Sequence, residues 1–163
     1  MPEPVSIRQT PLQLYIRTFG CQMNEYDSLR VQRLLGPLGY VPVDDIEKAD
    51  VIFLNTCSVR EKAEQKVLSF IGGLRRLKNR RPGLKIIAGG CVAQQLGRKL
   101  LDRFEHLDVV LGTRGVGAVA RVLDGINASG GRVACLPEED VPDFGEHGHE
   151  VFTGGDLTAP LTI

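Results

Sequence analysis

Three short runs constrain the fold most: "DVIFLN" (50–55), "LKIIAGG" (84–90) and "LDVVLG" (107–112), each nearly all apolar and each followed by a helix-like segment. A strand that is apolar on both faces belongs in a parallel sheet covered on both sides. "LQLYIRT" (12–18) adds another strand, rich in branched and aromatic residues. "YVPV" (40–43) reads as a short second strand, confined to an edge by its proline.

Helical spacing fills the gaps. Leu29, Leu34 and Leu35 recur between about Asn24 and Leu35, and Gly36 and Pro37 stop that helix. In "SVREKAEQKVLSFIGGLRRLKNR", Ser58 and Glu61 make a capping-box pattern, and Ala63, Val67, Phe70, Ile71, Leu74 and Leu77 share one face. Gly72 and Gly73 predict a kink there. "QQLGRKLLDRF" and "VGAVARVLDGI" supply two more helices. Alternating strand and helix specify an α/β fold: an open, mostly parallel sheet with helices on both faces, flavodoxin- or Rossmann-like. Residues 1–11 form an N-terminal extension and 12–126 the domain. From 127 to 163 the chain turns rich in Gly, Pro and acid and reads as an irregular linker or arm.

With 20 basic and 20 acidic residues the chain is formally neutral, so net charge alone points to no polyanionic partner. Six basic side chains nonetheless fall between Arg75 and Lys85. They are either nucleic-acid phosphate contacts or a solvated helix end, and no aromatic residue interleaves them for base stacking. No signal-peptide core or membrane-length apolar run is present, and a cytoplasmic protein with no membrane partner is expected.

Four cysteines, spaced 36, 34 and 44 residues apart, do not make a disulfide-dense scaffold. Cys21 follows the first strand across Gly20, Cys57 follows "DVIFLN", and Cys91 follows "LKIIA" across Gly89 and Gly90. Each lies in a βα turn at the carboxyl end of a parallel strand, where such sheets bind ligands. In a flavodoxin-like order the three strands are neighbours, at roughly 4.8 Å per step. One cysteine alone is most simply a space-filling residue; three in equivalent turns point to a shared site.

Zinc sites commonly use closely spaced cysteine pairs, and no C-x-x-C occurs here. Three distant thiolates suit an iron–sulfur cluster with one iron left open. Cys135 falls in the arm and reads as a half-buried small residue.

Asn24, Asp27 and Asn55 flank the cysteines and are candidates to hydrogen-bond the sulfurs of a cluster, and Arg60 is a candidate to face its edge. Asn24 is equally a helix cap, Asp27 a first-turn residue, Glu61 a cap, and Arg60 a solvated arginine. His147 and His149 lie in an acidic loop without further ligand spacing.

"TFGCQMNEYDS", "ADVIFLNTCSVREKAEQKV" and "GGCVAQ" resemble the N-terminal domain of the radical-SAM methylthiotransferases, MiaB type, over about residues 12 to 126. "QMNEYDS" and "VREKA" are similar to the branch of tRNA 2-methylthio-N6-isopentenyladenosine synthases. The resemblance implies that Cys21, Cys57 and Cys91 bind an auxiliary [4Fe-4S] cluster whose fourth iron holds the sulfur destined for substrate. It further implies a second [4Fe-4S] cluster and S-adenosylmethionine in a following barrel, and methylthiolation at C2 of a modified adenosine in the tRNA anticodon stem-loop. The C-x-x-x-C-x-x-C that would hold the second cluster is absent, and the chain ends at "APLTI". A fragment inactive on its own is therefore expected. Two rival classes remain at this point: a flavodoxin-like binding module, which would want a phosphate cradle, and a thiol oxidoreductase without a cluster, which would want a paired cysteine.

Overall fold

A computed structural model of the chain describes residues 10–136 apart from positions 21, 59 and 60. The strands are β1 (Leu12–Thr18), β2 (Tyr40–Pro42), β3 (Val51–Thr56), β4 (Lys85–Gly90), β5 (Val109–Leu111) and β6 (Val133–Cys135). The helices are α1 (Gln22–Leu35), α2 (Glu61–Gly73), α3 (Arg75–Arg80), α4 (Cys91–Leu96), α5 (Arg98–Arg103) and α6 (Val119–Ser129). All six strands pair in parallel, in the order β2-β1-β3-β4-β5-β6. The open parallel α/β fold expected from the apolar runs is the observed one, and β2 with its proline takes an edge.

The strand period of two sorts the central residues into two cores. Ile52 and Leu54 of β3 face Val67 and Ile71 of α2 and Leu100 of α5. Val51 and Phe53 face the opposite way, toward Val31 and Leu35 of α1 and Leu123 of α6. β3 is therefore buried along its whole length, as its unbroken apolar run requires. The kink expected at Gly72 and Gly73 falls where α2 gives way to α3.

Two elements depart from the sequence reading. The single helix expected over "QQLGRKLLDRF" is two, starting already at Cys91 and broken at Gly97, whose φ of +51° no helix accommodates. The boundary at residue 126 falls inside α6, and residues 133–135 add a sixth strand rather than beginning an arm. Arg132 secures that strand: Nε donates to the Leu107 carbonyl at 2.8 Å, and Nη2 to the carbonyls of Leu101 and Phe104. The Leu101 carbonyl is in the last turn of α5, where a helix leaves carbonyls without internal partners, and the other two lie in the turn that follows it.

The basic run lies at the amino edge of the sheet, and Lys78, Arg80 and Arg81 in it are engaged in ion pairs. Lys78 Nζ sits 2.9 and 2.7 Å from the two Asp108 oxygens and also donates to the Leu84 carbonyl. Arg80 grips both Glu47 oxygens at 2.9 Å, and Arg81 reaches Asp50 at 3.0 Å. Asp50 and Asp108 in turn accept the backbone N–H of Gln13 and Ile86, each at 2.8 Å. The phosphate-contact reading of Lys78, Arg80 and Arg81 loses its ground here, because the run serves the fold.

Burial decides which pair matters. Lys78 and Asp108 are 16% and 10% exposed, against 64% and 57% for Arg80 and Glu47. Asp108→Ala, which strands a buried ammonium and the Ile86 N–H, is expected to cost about 3 kcal/mol in urea unfolding. Glu47→Ala is expected to cost under about 1 kcal/mol.

Candidate functional site

β1, β3 and β4 are consecutive in the sheet, so the turns after them share one edge. Thr18 pairs with Asn55, and Thr56 pairs with Gly90. Counting one residue onward, Cys57 and Cys91 leave the sheet at the same level on neighbouring strands. Cys57 is buried, and Cys91 is the partly exposed first residue of α4. Cys21 lies outside the described residues, but Gly20 before it does not.

Two glycines make the turns fit. A Cβ on Gly20 would stand 2.4 Å from Cys57 Cβ and 3.0 Å from its sulfur, and the φ of Gly20 is +143°. The chain entering Cys21 thus runs directly against Cys57. A Cβ on Gly90, at φ +95°, would stand 2.3 Å from the Thr56 carbonyl oxygen and 2.9 Å from Asn55 Oδ1. The chain entering Cys91 thus runs directly against the residue before Cys57. Any side chain at either position would push two turns apart.

Neutral hydrogen bonds bind the turns further. Asn24 Nδ2 donates to Asn55 Oδ1 at 2.9 Å and to the Thr56 carbonyl at 3.0 Å. Asn55 Nδ2 donates to the Asn24 carbonyl and to Ser28 Oγ, the latter at 3.0 Å. Backbone carbonyls can only accept, so both amide orientations are set by their partners. Ser28 Oγ spends its one proton on the Asn24 carbonyl at 2.9 Å, which leaves Thr18 as donor in the 2.7 Å contact between the two hydroxyls. Thr56 Oγ1 donates to the Gly89 carbonyl at 2.7 Å and accepts from the Ala93 N–H at 3.3 Å. Among the described residues, no buried side-chain nitrogen or oxygen lacks a partner.

The two amide groups are thereby fully committed. Each NH2 has two protons and two protein acceptors, so Asn24 and Asn55 sit beside the cysteines without a donor left for a sulfur ligand. Asn24 is inside α1, tied to β3, and is not its cap. Asp27 lies beyond the first turn of α1, half-buried, and burial pushes its carboxyl above the usual range while the Arg30 guanidinium partly offsets this. Arg60 and the expected pairing of Ser58 with the Glu61 side chain lie outside the described residues, as do His147 and His149. Cys135 closes β6, and its partly buried side chain packs against the core shared by α1 and α6. A cleft of about 350 Å³ lined by Leu12, Asp50, Arg81 and Asn127 is at the opposite, amino edge and takes no part.

Chemically, the edge offers soft sulfur donors in a neutral, hydrogen-bonded setting. Such donors fit zinc, copper(I) or an iron–sulfur cluster. Among the described residues no group of three or more His, Cys, Asp or Glu is gathered for a metal, and the third sulfur of the expected set belongs to Cys21, outside them. Thr18, Ser28 and Thr56 went unnoticed in the sequence. Their signal was weak: hydroxyls at the ends of otherwise apolar strands and in the first turns of a helix.

The family model described as uncharacterized protein family UPF0004 matches residues 13–112, from β1 to just past β5, and covers all three turns. The chain belongs to that family. A tRNA-2-methylthio-N(6)-dimethylallyladenosine synthase of Syntrophobacter fumaroxidans is 60% identical over 153 residues, 94% of this chain and 34% of that protein. The enzyme of the same name from Thermodesulfovibrio yellowstonii is 44% identical over 111 residues, 68% of this chain and 26% of that protein. That from Desulfosudis oleivorans is 37% identical over 151 residues, 93% and 32%. The UPF0004 chain thus spans about a quarter to a third of the length of these curated relatives.

Two substitutions test the edge. Gly20→Ala forces a Cβ into Cys57 and is expected to cost about 1–3 kcal/mol in urea unfolding. Gly36→Ala, with nothing within 4 Å of its Cβ and no positive φ, is the control and should change stability by less than about 1 kcal/mol. Asp27→Asn adds a pH test. A carboxyl with a raised folded pKa stabilises the fold while protonated and loses that contribution as pH rises through the folded value. Asp27→Asn is therefore expected to raise Tm at pH 7, with the gain vanishing below the ordinary carboxylate pKa.

Proposed function

We propose that this chain is the cluster-bearing domain of a tRNA methylthiotransferase, with Cys21, Cys57 and Cys91 holding a [4Fe-4S] cluster through three thiolates. The observation that supports it most is the contact pattern of the turns: Gly20 against Cys57 and Gly90 against Thr56, on three consecutive parallel strands. The relatives' names supply the reaction class.

When bound, such a cluster supplies an iron with an open coordination position at the sheet edge. The chain's own residues do the rest. Cys57, which is buried, and Cys91, which is partly exposed, would be two of the cluster's ligands. Gly20 and Gly90 let the flanking backbone close in, and the spent amides of Asn24 and Asn55 hold α1 to β3 without competing for sulfur.

The parent reaction we assign is transfer of a methylthio group to C2 of an N6-modified adenosine next to the tRNA anticodon, in the cytoplasm. It uses S-adenosylmethionine and a second [4Fe-4S] cluster held outside these 163 residues, which contain no C-x-x-x-C-x-x-C. tRNA is gripped mainly by other parts of that enzyme, since Lys78, Arg80 and Arg81 are engaged at the far edge of this sheet. No helix of the described residues is long and apolar enough to cross a membrane.

Anaerobic reconstitution tests this directly. Wild type is expected to carry about four irons and four sulfides per chain with the broad absorption of a [4Fe-4S] cluster, and Cys57→Ala to lose them. Equal, low iron in both would overturn the assignment. The polypeptide alone is expected to show no methylthiolation of tRNA.

A further inference from the structure

We propose that Thr56 is the positioning residue of this site: its hydroxyl ties both flanks of Cys91 to the strand that carries Cys57, while its carbonyl is the end of a chain of neutral hydrogen bonds from the turn of Cys21. The proposal rests on the shared cysteine site proposed above and extends it to residues that touch no ligand.

The chain is continuous. It starts at Thr18, three residues before Cys21, passes through Ser28 to the Asn24 carbonyl, three residues after Cys21, and crosses to β3 through Asn55 and the Asn24 amide. It reaches the Thr56 carbonyl at 3.0 Å, one residue before Cys57. From there the Thr56 hydroxyl donates to Gly89, two residues before Cys91, and accepts from Ala93, two residues after it, at 2.7 and 3.3 Å. The flanks of each cysteine are tied into the chain, and the Thr56 side chain straddles Cys91.

The fold does not need this hydroxyl. The β3–β4 ladder already fixes the register through Thr56 and Gly90. Thr56 is fully buried at the end of the run "VIFL", where valine has the same shape and suits a strand as well. Burying a hydroxyl costs free energy unless both its roles are filled, and here both are. What the polar residue adds beyond the ladder is the bond to the Ala93 N–H, which ties the start of α4, and so Cys91, to the strand carrying Cys57.

The test uses the whole chain, reduced and anaerobic, titrated with cobalt(II) and read by its sulfur-to-metal charge-transfer absorption. Thr56→Val is expected to weaken cobalt binding by about tenfold or more, as loss of an outer hydrogen bond to a ligand turn does. Thr56→Ser, which keeps both bonds, is expected to restore it. Far-UV circular dichroism and cooperative unfolding should show the fold retained in both. Thr56→Val binding cobalt like wild type, or Thr56→Ser failing as Thr56→Val does, would overturn the positioning role and leave the shared site standing. Wild type without any sulfur-to-cobalt absorption would overturn the shared site, and the positioning role with it. Should Thr56→Val not fold, Thr56→Ala carries the test, since it removes the same two bonds without adding bulk: weaker cobalt binding supports the role, and wild-type binding overturns it.

Discussion

Parallel pairing of β3 with β1 on one side and β4 on the other is the constraint on which the rest of the structure depends. A parallel ladder sets the level at which every strand leaves the sheet, so three turns after three consecutive strands cannot avoid one another. It also buries the central strand on both faces, which is why β3 is apolar at Val51 to Leu54 and turns polar only at Asn55 and Thr56. Those two polar residues are the first that no longer serve the core, and both are bonded to neighbouring turns. The boundary between packing and chemistry therefore runs across one strand, between Leu54 and Asn55.

The two edges of the sheet are held by different physics. At the amino edge, Asp50 takes a backbone N–H with one oxygen and Arg81 with the other, and Asp108 holds Lys78 with both oxygens while accepting the Ile86 N–H. Buried charges there are strong but demand a partner each. At the carboxyl edge the links are amides, hydroxyls and backbone groups throughout. An arginine or aspartate among the cysteines would have imposed its own charge on any thiolate nearby. Neutral dipoles instead give direction without net charge.

Much of this was legible in the sequence, for identifiable reasons. β3, β4 and β5 announced themselves as apolar runs, and a cysteine stands one residue past β3 and one past β4, so the fold and the candidate positions could both be read. β6 could not. "RVACL" is short and lies among glycines and acids, and its place depends on Arg132 reaching carbonyls some thirty residues back, a contact no local pattern encodes. The partners of Lys78, Arg80 and Arg81 could not be read for the same reason, because Asp108, Glu47 and Asp50 are distant in sequence. Asn24 and Asn55 were found by their nearness to the cysteines, yet whether their donors were available depended on acceptors visible only in three dimensions.

The character of the linking groups has a consequence for how such a site responds to its surroundings. Thiolate ligation is pH-dependent, because protons compete with metal for sulfur. The bonds that space the turns involve Thr18, Asn24, Ser28, Asn55, Thr56 and backbone groups, none of which gains or loses a proton near neutrality. Geometry and ligation are therefore separable: acidification can empty the sulfurs without moving the turns that carry them. Had the turns been spaced by ion pairs like those of the amino edge, loss of ligand and loss of shape would have come together. A site that keeps its shape while empty pays no ordering cost on reloading, which is how preorganised sites gain affinity. The buried threonine at the end of β3 is the residue where that separation is made, since its side chain binds both flanks of Cys91 while its carbonyl, through Asn24, is held to the turn of Cys21.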